Sequence, residues 1–188
     1  MKLLSTGNPK VLKGLKQGYN TYIMHLAPAN LSGYETCPKR TAGCTAACLN
    51  TAGRGGMFKK GENTNMIQQA RIRKTKMFFE NRAQFMIDLV KDIELGIKQS
   101  ARLGLIPVFR LNGTSDIPYE NNPVGDFKNI MEMFPNVQFY DYTKQFTRLT
   151  KQLPANYHLT FSRAETEANQ KEAQQAIDLG FNVAAVFK

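Results

Sequence analysis

Histidine is scarce in this chain: of 188 residues, only His25 and His158 are histidines. Acidic residues are also short, 15 against 25 lysines and arginines. These shortages exclude several chemistries. There is no His-Glu-x-x-His pair for a zinc peptidase, and no Ser-His-Asp arrangement for acyl transfer. No apolar run approaches the roughly 18 residues that cross a bilayer. The opening Met1-Lys-Leu-Leu-Ser-Thr-Gly-Asn-Pro9 is too short in apolar length for a secretory signal. Internal repeats and low-complexity linkers are missing as well. With 42% hydrophobic and 21% charged residues, the chain reads as a folded α/β domain spanning 1–188, long enough to bury a core. It is expected to be a monomer without membrane contact.

The imbalance leaves a formal net charge of +10, concentrated in the first half between Lys10 and Arg82. Such a charge favours nucleic acid, an anionic cofactor or a phosphorylated substrate through long-range attraction. The alternative is a solvated basic helix face. Partners are therefore expected to be a small-molecule or nucleic-acid-derived substrate, with nucleic acid itself a candidate.

Cysteine is the third scarce residue, with three in all, and they are gathered in Cys37-Pro-Lys-Arg-Thr-Ala-Gly-Cys44-Thr-Ala-Ala-Cys48. An odd number without a signal argues for a reducing compartment, the cytoplasm. Thiolates are soft ligands, and three on one short stretch suggest a metal or cluster site. Cys44 and Cys48 share one face if the segment is helical, and Cys37 swings in from the preceding loop. The Cys-x2-Cys knuckle and fourth ligand of structural zinc are not visible. The expectation is a 4Fe–4S cluster on Cys37, Cys44 and Cys48, with the fourth iron open to a substrate atom or hydrosulfide. Zinc with a distant His, or three free thiols, are the alternatives. Ala52-Gly-Arg-Gly-Gly56 follows at once, either as a donor-rich anion cradle with Arg54 or as a plain turn. It lacks the Lys-Ser/Thr ending of a P-loop.

Periodicity places strands at Tyr22–Ala27, Ile106–Leu111, Val137–Tyr142, Tyr157–Phe161 and Asn182–Phe187. A long helical segment spans 63–103, with a break near its start, and Gly104 closes it. Shorter helices cover Phe127–Phe134, Lys144–Lys151 and Glu165–Leu179. Strand–helix alternation predicts a parallel sheet covered by helices. A partial, TIM-like (βα) barrel with the three-cysteine loop after its first strand fits the length, with a doubly wound sheet as the alternative. The apolar last strand has nothing to cover it, so either it closes against the N-terminal segment or a C-terminal extension is missing.

Functional groups in such folds gather beyond the carboxyl ends of the strands. There the chain carries Arg110, Asn112, Ser115 and Asp116 after one strand, Asp141 and Lys144 at the next, and Ser162 and Glu165 at a third. Asp116, Ser115 and Glu165 are the candidate acid, hydroxyl and base. Arg54, Arg110, Asn112, Asp141, Lys144 and Ser162 are the candidate cofactor-binding residues. Each has a plainer reading: Ser115 and Asp116 as caps, Ser162-x-x-Glu165 as a capping box, and Asp141 with Lys144 as a surface pair. His25 and His158, on strands, read first as hydrogen-bonded core residues, with His25 as a possible cluster neighbour or fourth ligand.

Leu4-Ser-Thr-Gly-Asn-Pro-Lys10, the cysteine stretch through Cys48-Leu-Asn-Thr-Ala-Gly-Arg-Gly-Gly56, Arg110-Leu-Asn-Gly-Thr-Ser-Asp116 and Tyr140-Asp-Tyr-Thr-Lys144 together resemble a phage-encoded family. This is the mycobacteriophage gene-product-eighty-eight type, matched in order over essentially the whole chain. The resemblance implies a virus-encoded protein acting in the cytoplasm of an infected bacterium, and members extending past a strand like the one ending at Phe187. It supplies no reaction. A weaker likeness is to radical S-adenosylmethionine enzymes, which carry a three-cysteine loop in a partial barrel. Their spacing is C-x3-C-x2-C, and this chain has C-x6-C-x3-C. Other three-cysteine cluster enzymes use the open iron to hold sulfide. These likenesses imply sulfur transfer or desulfurisation first, radical chemistry second, and a non-enzymatic nucleic-acid or host-protein binder with a structural metal as the competing class.

Overall fold

The computed structural model describes residues 1–6 and 9–185. Six strands form one open sheet, β1 (Leu4–Ser5), β2 (Tyr19–Met24), β3 (Ile106–Arg110), β4 (Gln138–Thr143), β5 (Tyr157–Ser162) and β6 (Val183–Ala184), lying side by side in chain order. β1 runs antiparallel to β2, with Leu4 opposite Met24, and the remaining pairs are parallel. The helices are α1 (Pro9–Leu15), α2 (Ala42–Ala46), α3 (Met66–Glu80), α4 (Arg82–Arg102), α5 (Ile130–Met133), α6 (Phe146–Leu149) and α7 (Glu167–Asp178). No helix among the described residues is long and apolar enough to cross a membrane.

Parallel strands that follow one another in order, joined by crossovers of one hand, carry their helices on one face of the sheet. Side-chain alternation along β4 shows which face that is. Phe139, Asp141 and Thr143 are buried, whereas Gln138 and Tyr142 are exposed and Tyr140 is half-buried. Tyr22, Phe109, Phe139 and Tyr157 lie on the buried side, in register across four strands. α4 turns Phe85, Leu89 and Ile93 into this core, each burial stabilising by about 2 kcal/mol. Its Gly96 lets the sheet approach closely: a Cβ there would stand 3.0 Å from the Phe109 ring and 3.2 Å from that of Tyr22. Phe146 of α6 meets Phe161 edge to face, with centroids 6.3 Å apart.

The five strands expected from periodicity are all present, and the two-residue β1 adds a sixth. The strand order does not reverse, which separates the sheet from a doubly wound one. The single helical segment expected over 63–103 is two helices. Asn81 divides them, ending α3 and capping α4 by accepting from the Gln84 amide at 3.3 Å. α5 and α6 are one-turn helices where longer ones were expected. Of the last expected strand, Val186 and Phe187 lie outside the described residues, and the stretch after Met24 up to Ala27 is not strand.

The expected capping box at Ser162 and Glu165 is not formed. Thr166 caps α7, accepting from the Asn169 amide.

Candidate functional site

The loop leaving β3 is folded around Asn112. Its side-chain oxygen accepts from Ser115 Oγ and the Ile117 amide, both at 2.8 Å, while its Nδ2 donates to the Ile117 carbonyl and to Asp141. The Asn112 amide donates to Asp141 Oδ1 at 2.7 Å, and Tyr157 donates its hydroxyl to Oδ2 at 3.0 Å. Asp141 is thus wrapped in donors, yet burial dominates and pushes its carboxyl up to about 6, against the opposing pull of Arg110, Asn112, Arg148 and Tyr157.

A second buried network lies beside it. Arg148 of α6 donates to Asp116 Oδ1 at 2.5 Å and forms a two-pronged pair with Glu120 at 2.8 and 2.9 Å. Burial pulls this guanidinium down, but Tyr157, Glu120 and Asp116 outweigh it and hold Arg148 charged. Asp116 Oδ2 accepts from Thr143 Oγ1 at 3.1 Å and the Lys144 amide at 3.0 Å, closing the turn after β4. Asp116, Asp141 and Glu120 are therefore all engaged in tying loops together.

Above these networks the rim is basic. His25, one residue past β2, is half-buried, and its Nδ1 has no partner among the described residues. Gly113 makes room for it: a Cβ there would stand 2.5 Å from Nδ1 and 2.6 Å from the Met24 carbonyl. Burial, and then Arg71, Arg110 and Lys74, lower the imidazole to about 4, so it is neutral near pH 7. Arg71 reaches this place from α3, steadied by the Asn50 carbonyl at 3.0 Å and the Asn50 side chain at 2.7 Å. The Nε atoms of Arg71 and Arg110 are buried and unpartnered. Lys144 Nζ donates to Ser162 Oγ at 2.9 Å and to its carbonyl at 3.2 Å. Among the described residues none of Arg71, Arg110 and Lys144 pairs with a carboxylate.

The cluster expectation is overturned. Among the described residues no three His, Cys, Asp or Glu side chains come together as a group able to hold a metal. Cys37, Cys44 and Cys48 are free thiols on three separate pieces of backbone. The shared helix face required α2 to continue through Cys48, but it ends at Ala46, and Cys48 sits in extended backbone capping the 3-10 turn Leu49–Thr51. Cys37 points its thiol at the Thr114 carbonyl, 3.8 Å away, and burial raises its pKa. A 4Fe–4S cluster, its open iron carrying hydrosulfide, the zinc alternative, a structural metal, sulfur transfer and radical S-adenosylmethionine chemistry lose their basis together.

The other expected residues divide. Asn112, Ser115, Asp116 and Asp141 do converge, but as a hydrogen-bonded core beneath the rim; Arg110, Lys144 and Ser162 form part of the rim itself. Glu165 stands apart, accepting from Thr41 Oγ1 and the Gly43 amide at 2.8 Å each and so fastening the start of α2. Arg54 is exposed in the 3-10 turn Gly53–Gly56, where Gly55 and Gly56 pack against backbone: Cβ atoms there would fall 2.4 Å from the Asn50 carbonyl and 2.1 Å from that of Thr51. Asn65 Nδ2 donates to the carbonyls of Arg54 and Gly55 in the turn and of Met57 just after it. His158 is exposed and bonds Asn182 at 3.0 Å. Arg71, Arg148, Glu120 and Tyr157 were not anticipated as site residues; the excess of lysine and arginine over acid hinted at the two arginines alone.

Fold and rim together define a mixed α/β protein with a basic patch at the carboxyl end of the parallel strands. The chain belongs to the phage-encoded family described as gene product 88, which it matches over residues 2–188. No curated protein and no solved structure matches it.

Proposed function

We propose that the rim binds the phosphate groups of a nucleic acid or nucleic-acid-derived ligand. The observation that carries this is the pair of guanidiniums, Arg71 and Arg110, whose Nε atoms are buried without partners while nearby carboxylates are engaged elsewhere. Held cations without counter-charge, beside an imidazole kept neutral by burial first and by these cations second, are stabilised by an incoming anion. Arg71 is preorganised by Asn50, so little side-chain entropy is lost on binding. The +10 charge adds long-range attraction.

Binding suits this rim better than catalysis. Asp116 is held by Arg148, Thr143 and the Lys144 amide, Asp141 is sealed from solvent, and Ser115 donates its proton to Asn112. No freely placed acid or base emerges from the residues first considered for those roles. We read the sheet as a partial (βα) barrel opened between β1 and β6, the face opposite α4 the concave one, since strand order follows the chain as in such barrels. The test is fluorescence anisotropy of a labelled oligonucleotide across a salt series. Arg71→Ala and Arg110→Ala should each reduce the slope of log affinity against log salt by about 1. Unchanged slopes would refute the assignment.

A further inference from the structure

We propose that the sheet face opposite α4 takes the nucleic acid as a single strand at β3–β5, with a base stacked on Tyr142 and its phosphates on Arg110 and Lys144. This rests on the phosphate-binding reading of the rim and names the ligand class more closely. Alternation puts Tyr140 and Tyr142 of β4 on the face away from α4, and register places them opposite His158 and Thr160 of β5. Tyr142 is 38% exposed, and the two rings meet edge to face at 6.5 Å. The Arg110 guanidinium lies 4.8 Å from the Tyr142 ring centroid, joining a cation to the aromatic surface.

The chemistry of this face selects the occupant. Arg110 and Lys144 bring positive charge, and the acids around them are engaged elsewhere: Asp141 points into the opposite, buried side, Asp116 is held by Arg148, Thr143 and the Lys144 amide, and Glu165 is fastened to α2. Tyrosine with arginine suits a ligand that presents a flat π surface and an anion within one repeat. A single strand exposes its base faces; a duplex hides them in its own stack.

The test compares three labelled ligands of equal length, about twelve nucleotides: a mixed-sequence single strand, the same strand made abasic, and the corresponding duplex. The single strand should bind about tenfold tighter than the abasic strand. Tyr142→Ala should erase most of that difference while leaving abasic binding and the salt slope unchanged, and Tyr142→Phe should retain it. Circular dichroism and thermal melting of Tyr142→Ala should match the parent, since the side chain is partly exposed. Equal binding of abasic and normal strands, or no effect of Tyr142→Ala, overturns the stacking proposal; the rim reading then survives if Arg71→Ala and Arg110→Ala still flatten the slope. Binding of none of the three ligands at low salt overturns both.

Discussion

His25 and Asp141 titrate in the same window with opposite effects on stability, and separating them tests the electrostatics of the rim. His25 falls from 6.5 to about 4 on folding. As pH drops below 6.5 the unfolded chain takes up a proton that the folded protein refuses, so stability is lost on the way down to about 4 and is intact above the window. Asp141 rises from 3.8 to about 6. The folded protein takes its proton first, so stability is gained as pH falls through the same range. Between about pH 7 and about pH 5 the histidine removes roughly 2 kcal/mol and the aspartate returns roughly 1 kcal/mol. In His25→Asn the loss disappears, so the variant should gain about 2 kcal/mol on the parent across that interval; Asp141→Asn should fall behind by about 1 kcal/mol. Urea unfolding at a series of pH values measures both. Parallel curves for parent and His25→Asn would refute the burial of His25 beside these cations. Proton NMR gives a direct check, since the chain has two histidines and His25→Asn identifies the signal. A bound phosphate-bearing ligand should move the His25 midpoint upward, because it offsets Arg71, Arg110 and Lys74.

Two further outcomes concern the supports beneath the rim. Asp116→Asn leaves Arg148 with Glu120 as its remaining carboxylate partner and should cost about 3 kcal/mol in chemical denaturation; a loss below about 1 kcal/mol would show the pair to be dispensable. Glu165→Ala removes the acceptor for Thr41 and the Gly43 amide, so amide exchange in α2 and alkylation of Cys44 should both speed up with the melting temperature little changed. Unaltered exchange would mean that Glu165 does not hold that helix.

Much of the sheet was legible in the sequence because its signals are local. Val137–Tyr142 alternates as a strand with one buried face must, and Gly104 and Gly180 adopt the positive φ that a helix-ending glycine supplies. The misreadings share a cause: a local pattern compatible with two structures. Ser162-x-x-Glu165 and Thr166-x-x-Asn169 both resemble helix starts, and the second forms while Glu165 serves a helix more than a hundred residues earlier in the chain. Cys44 and Cys48 have helical spacing, but spacing holds only while the helix continues, and α2 stops at Ala46. The strongest charges of the site were illegible for another reason. Arg148 looks like one more basic residue until folding sets it between Asp116 and Glu120, 32 and 28 residues away. Arg71 likewise gains meaning only when α3 carries it beside His25. Long-range polar pairing leaves no periodic trace.

The most direct measurement is the salt dependence of oligonucleotide binding for the parent and the Arg71→Ala/Arg110→Ala double variant. A negative slope for the parent, flattened by about 2 in the double variant, is the predicted result. Parent protein that binds no strand at low salt, or a double variant whose slope matches the parent, would contradict the claim that this rim is a phosphate-binding surface.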